Sequence, residues 1–190
     1  MADARLRHPD PRVRFEVGDA EHLTLDETFD IAVSGLMLNF ANDAERGVAA
    51  MRRAVTPDGL AAAYVWDHAG RMELLQHFST AAATLDPAAH ALDEAVRFAS
   101  WNADHLSALW RAARLRAVRT TAIDIFCQLR GFDDYWLPFL GGQGPAPPTC
   151  SHSISTPGPR CATRCERGCP MATDGSLHVR ASAWAVQGTR

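Results

Sequence analysis

The stretch from residue 29 to residue 66 constrains the fold more than any other part of the chain. Two uninterrupted apolar runs, Ile31–Leu38 and Leu60–Trp66, read as strands that are covered on both faces. Between them, apolar residues recur at the spacing of an amphipathic helix, at Ala44, Val48, Met51 and Val55. Pro57-Asp-Gly then predicts a turn. Strand, helix and strand in this order predict a βαβ unit and therefore a parallel sheet.

A shorter strand is predicted immediately before this unit. Val13, Phe15 and Val17 alternate with charged residues, which is typical of a half-buried strand at a sheet edge. Further along the chain, periodicity predicts helices over Glu73–Leu85, Asp104–Leu115 and Phe132–Leu140, and strands over Val118–Phe126 and from Leu177 to Ser182. The predicted fold class is α/β.

Length and composition favour one ordinary globular domain. The chain has 190 residues, of which 47% are hydrophobic and 22% are charged. A net charge of −3 gives no reason to expect nucleic acid as a partner. No apolar run approaches the roughly 18 residues that a membrane span needs, and the first residues lack the apolar core of a signal peptide. A cytoplasmic protein is expected.

Small and acidic residues follow each of the first three predicted strands. Asp19 and Glu21 would accept a hydrogen bond from an amine or a ribose hydroxyl, although Gly18-Asp19 is also a common turn. The Ser34-Gly35 pair brings backbone close either to a ligand or to a packed helix. Asp67 and His68 come at the end of the third predicted strand, where they are either catalytic groups or part of a polar loop. Ligands of open α/β sheets bind at this carboxyl edge.

Taken together, these segments resemble a known family. Val13-Arg-Phe-Glu-Val-Gly-Asp-Ala-Glu-His-Leu, Phe29-Asp-Ile-Ala-Val-Ser and Met51-Arg-Arg-Ala-Val-Thr-Pro-Asp-Gly look like a class I S-adenosylmethionine-dependent methyltransferase of the ubiquinone/menaquinone-biosynthesis type. The resemblance covers about residues 4 to 148 and 171 to 188. It implies a Rossmann-like, doubly wound, mostly parallel sheet with a late antiparallel strand, and methyl transfer to a small-molecule acceptor.

The resemblance also implies where the cofactor S-adenosylmethionine would bind. Asp19 would bind the adenine amino group, the Ala20 amide an adenine ring nitrogen, and the backbone near Ser34 and Gly35 would face the methionine part. Glu21 completes the predicted cofactor-binding set. Methyl transfer is an in-line displacement that needs alignment more than a general base, so no catalytic residue is predicted.

The chain departs from the family pattern near its start. The family's first two strands and its Gly-rich loop have no counterpart before Val13. By the family's strand order, 3-2-1-4-5-7-6, the absent strands would lie between the one at Val13 and the one at Ile31. We therefore expect an N-terminally truncated domain that neither binds the cofactor nor folds to a stable monomer. The alternative function is that of a non-catalytic fragment or pseudogene product.

A second departure spans residues 149–170. Four cysteines, Cys150, Cys161, Cys165 and Cys169, replace the family's Leu-rich stretch among Pro, Ser, Gly and Arg. Compensating frameshifts in the gene would explain this composition. The rival explanation is a zinc site formed by these cysteines and His152, in a metal-binding or interaction module. Because apolar residues are lacking, we predict that this segment is disordered and holds no structural metal.

Overall fold

The computed structural model describes residue 7 and residues 10–141 and 157–190. Its regular elements are β1 (Phe29–Gly35), α1 (Ala44–Ala54), β2 (Val55–Trp66), α2 (Glu73–Leu85), α3 (Glu94–Arg97), α4 (Ala103–Ala112), β3 (Arg116–Leu129), α5 (Phe132–Trp136), α6 (Pro157–Gly168) and β4 (Leu177–Thr189). Short 3-10 helices occupy Leu38–Phe40, Pro87–Leu92 and Leu137–Gly141. No helix among the described residues is both long and apolar enough to cross a bilayer.

The four strands form one mixed sheet in the order β1-β2-β4-β3. β1 and β2 pair in parallel, with Ile31 opposite Leu60, which confirms the predicted βαβ unit. β4 is antiparallel to both of its neighbours. In the part of the chain that the structure describes, only one of three strand pairs is therefore parallel, so "mostly parallel" does not hold for this sheet. The late antiparallel strand is present.

The predicted turn at Pro57-Asp-Gly is an irregularity inside β2. The register with β1 jumps here, because Val55 lies opposite Phe29 whereas Leu60 already lies opposite Ile31. Asp58 takes a left-handed conformation with φ of 65°. A Cβ on Gly59 would come within 2.9 Å of the Val55 Cβ, so this position requires glycine. The turn residues thus bulge one long strand rather than ending it.

The predicted strand at Val13–Val17 is wrong for this structure. These residues join no ladder with a described strand, and Val17 is 84% exposed. An alternating pattern becomes a strand only when a neighbour supplies hydrogen bonds and a face to cover. Among the described residues, nothing pairs with the outer edge of β1 either.

One face of the β1 region is open, which corrects the prediction of a strand covered on both sides. The side chains of Ile31 and Val33 are 57% and 63% exposed. Tyr64, which lies opposite Gly35 on β2, is exposed as well. The opposite face, with Ala61, Ala63 and Val65 of β2, is buried beneath α1 and α4.

Two apolar clusters form the core. The first lies between the sheet and helices α1 and α4, around Val48 and Trp110. The second joins α2, α5 and α6 to the start of β4; its aromatic members include Phe78, Tyr135, Trp136 and Phe139. Phe78 and Phe139 stack with ring centroids 4.8 Å apart.

The cysteine segment does not have the predicted disorder over the residues that the structure describes. Residues Pro157–Gly168 form α6, and three cysteines face the second cluster: Cys161, Cys165 and Cys169. Cys165 is 1% exposed. Because a thiol behaves as a small apolar group, cysteines at every fourth position give α6 the apolar stripe that leucines would otherwise supply. Cys150 and His152 lie outside the described residues. That the whole chain forms a single domain stays a prediction.

Candidate functional site

A small apolar pocket lies at the carboxyl end of β1. It has a volume of about 300 Å³, and its lining includes Ala20, Leu23, Ser34, Gly35, Met37 and Met51. The loop before β1, the end of β1 and helix α1 each contribute. The structure thus brings together three residues of the predicted cofactor set: Ala20, Ser34 and Gly35.

Ser34 and Gly35, the last two residues of β1, differ in their surroundings. The Ser34 side chain is buried, and its Oγ has no hydrogen-bond partner among the described residues. Such a hydroxyl costs free energy unless a ligand or water pairs with it. A Cβ on Gly35 would lie 2.6 Å from the Tyr64 Oη, so this glycine permits close packing of the Tyr64 ring. Leu36, the next residue, is held at φ of 55° while its amide donates to the Tyr64 carbonyl oxygen.

Asp19 does not line the pocket, and its carboxylate has local partners. Oδ1 accepts a hydrogen bond from the Glu21 amide at 2.9 Å, and Oδ2 lies 2.8 Å from the His22 Nδ1. The hydrogen bond with His22 is the main reason that the pKa of Asp19 lies below its usual value. The carboxylate is therefore ionised and exposed, and it organises the turn from which the Ala20 backbone reaches the pocket.

Glu21 ties this turn to helix α1. Its Oε1 accepts a hydrogen bond of 2.7 Å from the Asn42 amide, just before the helix. Asp43 caps the helix itself by accepting from the Arg46 amide. Glu21 lines a second, larger groove of about 470 Å³ beside the pocket, together with His22 and Arg53. Its observed contact is thus with the protein backbone.

Beyond the end of β2 lies a buried titratable pair, His68 and Glu94, which the sequence did not predict. His68 is 3% exposed, its Nδ1 lies 3.2 Å from the Glu94 Oε2, and its ring packs on Phe98. The two groups are close but not aligned for a hydrogen bond. Burial lowers the pKa of His68 to about 4 and raises that of Glu94. The imidazole is thus neutral near pH 7.

Asn39 adds another buried polar side chain near the same edge. It lies in the 3-10 helix after β1, and neither its amide oxygen nor its nitrogen has a partner among the described residues. The next residue, Phe40, packs edge-on against Phe98, which contacts His68. Nothing in the sequence marks Glu94 as a neighbour of His68. Asn39, however, follows an apolar strand, and that position is a usable signal.

Asp67 has a structural contact rather than a free carboxylate. Its Oδ1 accepts a hydrogen bond of 3.0 Å from the Gly70 amide, closing the turn after β2. Its own amide donates to the Ser182 carbonyl oxygen on β4. The alternative of a polar loop therefore describes Asp67 well. Within the described ranges, no group of three or more His, Cys, Asp or Glu residues is arranged to hold a metal ion.

Comparisons with known proteins agree with this architecture. Residues 1–63 match the family model described as a methyltransferase domain. This segment includes all five predicted cofactor-binding residues. A search of curated proteins gave no match.

Solved structures share the fold at low sequence identity. The YcgJ protein from Bacillus subtilis is 17% identical with a TM-score of 0.57, and the match covers 100% of this chain and 76% of that one. A protein from Bacillus halodurans, provisionally described as a methyltransferase, is 12% identical with a TM-score of 0.54 and coverage of 99% and 76%. A provisional type II methyltransferase from Anaeromyxobacter dehalogenans is 16% identical with a TM-score of 0.55 and coverage of 94% and 72%. The fold is therefore the Rossmann-like α/β fold of class I methyltransferases.

Proposed function

We propose that this chain takes part in S-adenosylmethionine-dependent methyl transfer to a small-molecule acceptor. The observation that carries the proposal is the match of residues 1–63 to the methyltransferase family model, on a chain with the corresponding fold. Within that family, the sequence resemblance is to the ubiquinone/menaquinone-biosynthesis type. With this function we also propose that the protein is cytoplasmic and has no nucleic-acid partner.

The pocket at the end of β1 fits one side of such a cofactor. Its apolar lining, which includes Ala20, suits an adenine ring. By the sequence resemblance, the Ala20 amide would meet a ring nitrogen, and Asp19, just outside the lining, would meet the exocyclic amine. The Ser34 Oγ, buried without a partner, supplies a polar group beside Gly35 for the amino-acid part. Glu21 holds the loop in place through the Asn42 amide. When bound, S-adenosylmethionine supplies an electrophilic methyl group on a sulfonium.

The protein's part in this chemistry is alignment. An in-line displacement gains most from holding the two reacting atoms close and collinear, so rigid strand ends matter more than a base. β1 and β2 provide two such ends side by side. We assign no catalytic residue.

A non-catalytic role is the second candidate, and one observation favours it. The outer edge of β1 has no strand partner among the described residues, so no second described strand end faces the pocket on that side. Ligands of doubly wound sheets normally lie between two strand ends that diverge. A third candidate, a cysteine-based metal module, is disfavoured because Cys161, Cys165 and Cys169 pack into the core.

Calorimetric titration of the 190-residue chain with S-adenosylmethionine and S-adenosylhomocysteine separates the first two candidates. Micromolar binding together with a single cooperative thermal transition supports methyl transfer. No heat of binding from a chain that unfolds cooperatively supports the non-catalytic role. Circular dichroism on the same sample establishes that the chain is folded.

A further inference from the structure

Helix α6 has a basic flank beside its buried cysteine stripe. Arg160, Arg164 and Arg167 recur at spacings of four and three residues, so they lie along one side of the helix, while Cys161 and Cys165 face the core. The three arginines are exposed. The segment that departs most from the family pattern therefore has an apolar side that explains its folding and a cationic side that folding leaves unexplained.

The cationic side borders a groove between α6 and α2. The groove has a volume of about 270 Å³ and is lined by His77, Thr80, Ala81, Thr84, Arg164, Arg167 and Gly168. Three of these side chains carry or can acquire positive charge, and none is acidic. Thr84 donates its hydroxyl to the Thr80 carbonyl oxygen. His77, Thr80 and Thr84 lie on one face of α2 by their spacing.

Neither arginine of the groove is neutralised within the described part of the chain. No carboxylate there lies within ion-pair distance of Arg164 or Arg167. Glu73, on the same helix as His77, accepts the Arg180 amide instead. Two guanidinium groups and an imidazole thus share one concave surface without a counter-charge.

We propose that the α2–α6 groove binds a phosphate-bearing small molecule. Guanidinium groups present paired N–H donors that match phosphate oxygens in a bidentate manner, and two of them on adjacent turns span a diphosphate better than a single anion. His77 and the Thr80 hydroxyl add donors from the facing helix. The groove shares no lining residue with the pocket at the end of β1, so this site is independent of the proposed methyl transfer.

Calorimetric titration of the whole chain with inorganic pyrophosphate tests the site, with inorganic phosphate as a second arm. We expect saturable pyrophosphate binding at millimolar concentration or below, and weaker phosphate binding. Replacing both arginines in R164Q/R167Q removes two charge-assisted contacts and should weaken binding at least about tenfold. The variant R167K keeps the charge but loses the planar guanidinium group. Its affinity for pyrophosphate should lie between those of the unsubstituted chain and R164Q/R167Q.

The matched control is Arg111→Gln, an exposed arginine in the last turn of α4. This variant should bind pyrophosphate as the unsubstituted chain does. The proposal is overturned if the unsubstituted chain shows no binding up to about 10 mM. It is also overturned if R111Q loses as much affinity as R164Q/R167Q, because that result means general charge attraction rather than a site. Equal thermal transitions of all variants establish that the folds are comparable.

Discussion

The indole nitrogen of Trp110 donates a hydrogen bond of 3.0 Å to the carbonyl oxygen of Ala61 inside the core. This bond fastens α4 to β2, and the Trp110 ring also packs beside Gly188 of β4, where a Cβ would approach it to 3.0 Å. The ring therefore fixes one helix to two neighbouring strands.

Trp110→Phe should lower the free energy of unfolding by about 2 to 4 kcal/mol. The substitution removes a buried hydrogen bond to the Ala61 oxygen and opens a cavity. Chemical denaturation measures the change. Trp101→Phe is the control, because Trp101 is only partly buried and packs edge-on against His105. Equal losses in both variants would contradict a special role for the Trp110 bond.

Stability should fall on acidification because of His68. Burial lowers its pKa from 6.5 to about 4 in the folded chain, so the unfolded chain binds the proton more tightly. The stabilisation from the neutral buried ring is complete above pH 6.5 and is lost as the pH falls toward 4. The full pKa difference corresponds to roughly 3 kcal/mol, and the raised pKa of Glu94 offsets part of it.

Denaturant titrations at pH 7.5 and pH 5 of the unsubstituted chain and of His68→Asn would show this. The variant should be less pH-dependent over the interval, although its absolute stability is lower. If both proteins lose the same free energy on acidification, His68 is not the responsible group. An NMR titration of the imidazole gives its pKa directly.

Asp19→Ala should weaken S-adenosylmethionine binding about fivefold wherever binding is measurable, including in a chain extended by a Gly-rich loop. The substitution removes one hydrogen bond to the adenine amine and also frees the turn that presents Ala20. Calorimetry gives the ratio of dissociation constants. Asp26→Ala, an exposed acid in the same loop, should leave affinity unchanged. Unchanged affinity in the Asp19 variant would remove the adenine role.

Because no described strand pairs with the outer edge of β1, we expect the chain to associate. Edge strands that are apolar and carry few charges pair readily with other chains, and Ile31 and Val33 are well exposed there. Sedimentation velocity of the 190-residue chain should show association that increases with concentration. Val33→Lys should reduce it, whereas Val96→Lys, an exposed valine on α3, should not. A concentration-independent monomer would contradict this expectation.

Purified protein should contain no stoichiometric zinc. A cysteine binds a metal ion as its thiolate, and burial raises the pKa of Cys169 to about 12, with Cys165 adding to the shift. The Cys165 Sγ lies 3.6 Å from the Tyr135 hydroxyl, which itself donates to the Leu74 carbonyl oxygen at 2.7 Å. Metal analysis is the measurement; one tightly held zinc per chain that is lost on Cys165→Ser would refute the prediction.

The sequence predicted secondary structure correctly where the elements that pack together are adjacent in the chain. The β1–α1–β2 unit is local, so its apolar runs and helical spacing sufficed to predict it. The strand at Val13 failed because its pattern depends on neighbours that the described sheet does not provide. The α6 helix was missed because its cysteines were not counted among the apolar residues that could form a buried face. The pairing of His68 with Glu94 joins the end of β2 to a distant short helix, and no local pattern encodes such a contact.

β4 is the last of the four strands in the sequence, yet it lies between β2 and β3 and pairs with each of them along most of its length. During synthesis, β2 and β3 therefore leave the ribosome long before the strand that connects them. Closing the loop from Leu60 to its partner Thr189 costs chain entropy before any contact compensates for it, which slows folding. Until then the edges of β2 and β3 that later pair with β4 stay accessible, and we expect aggregation to compete with folding during that interval.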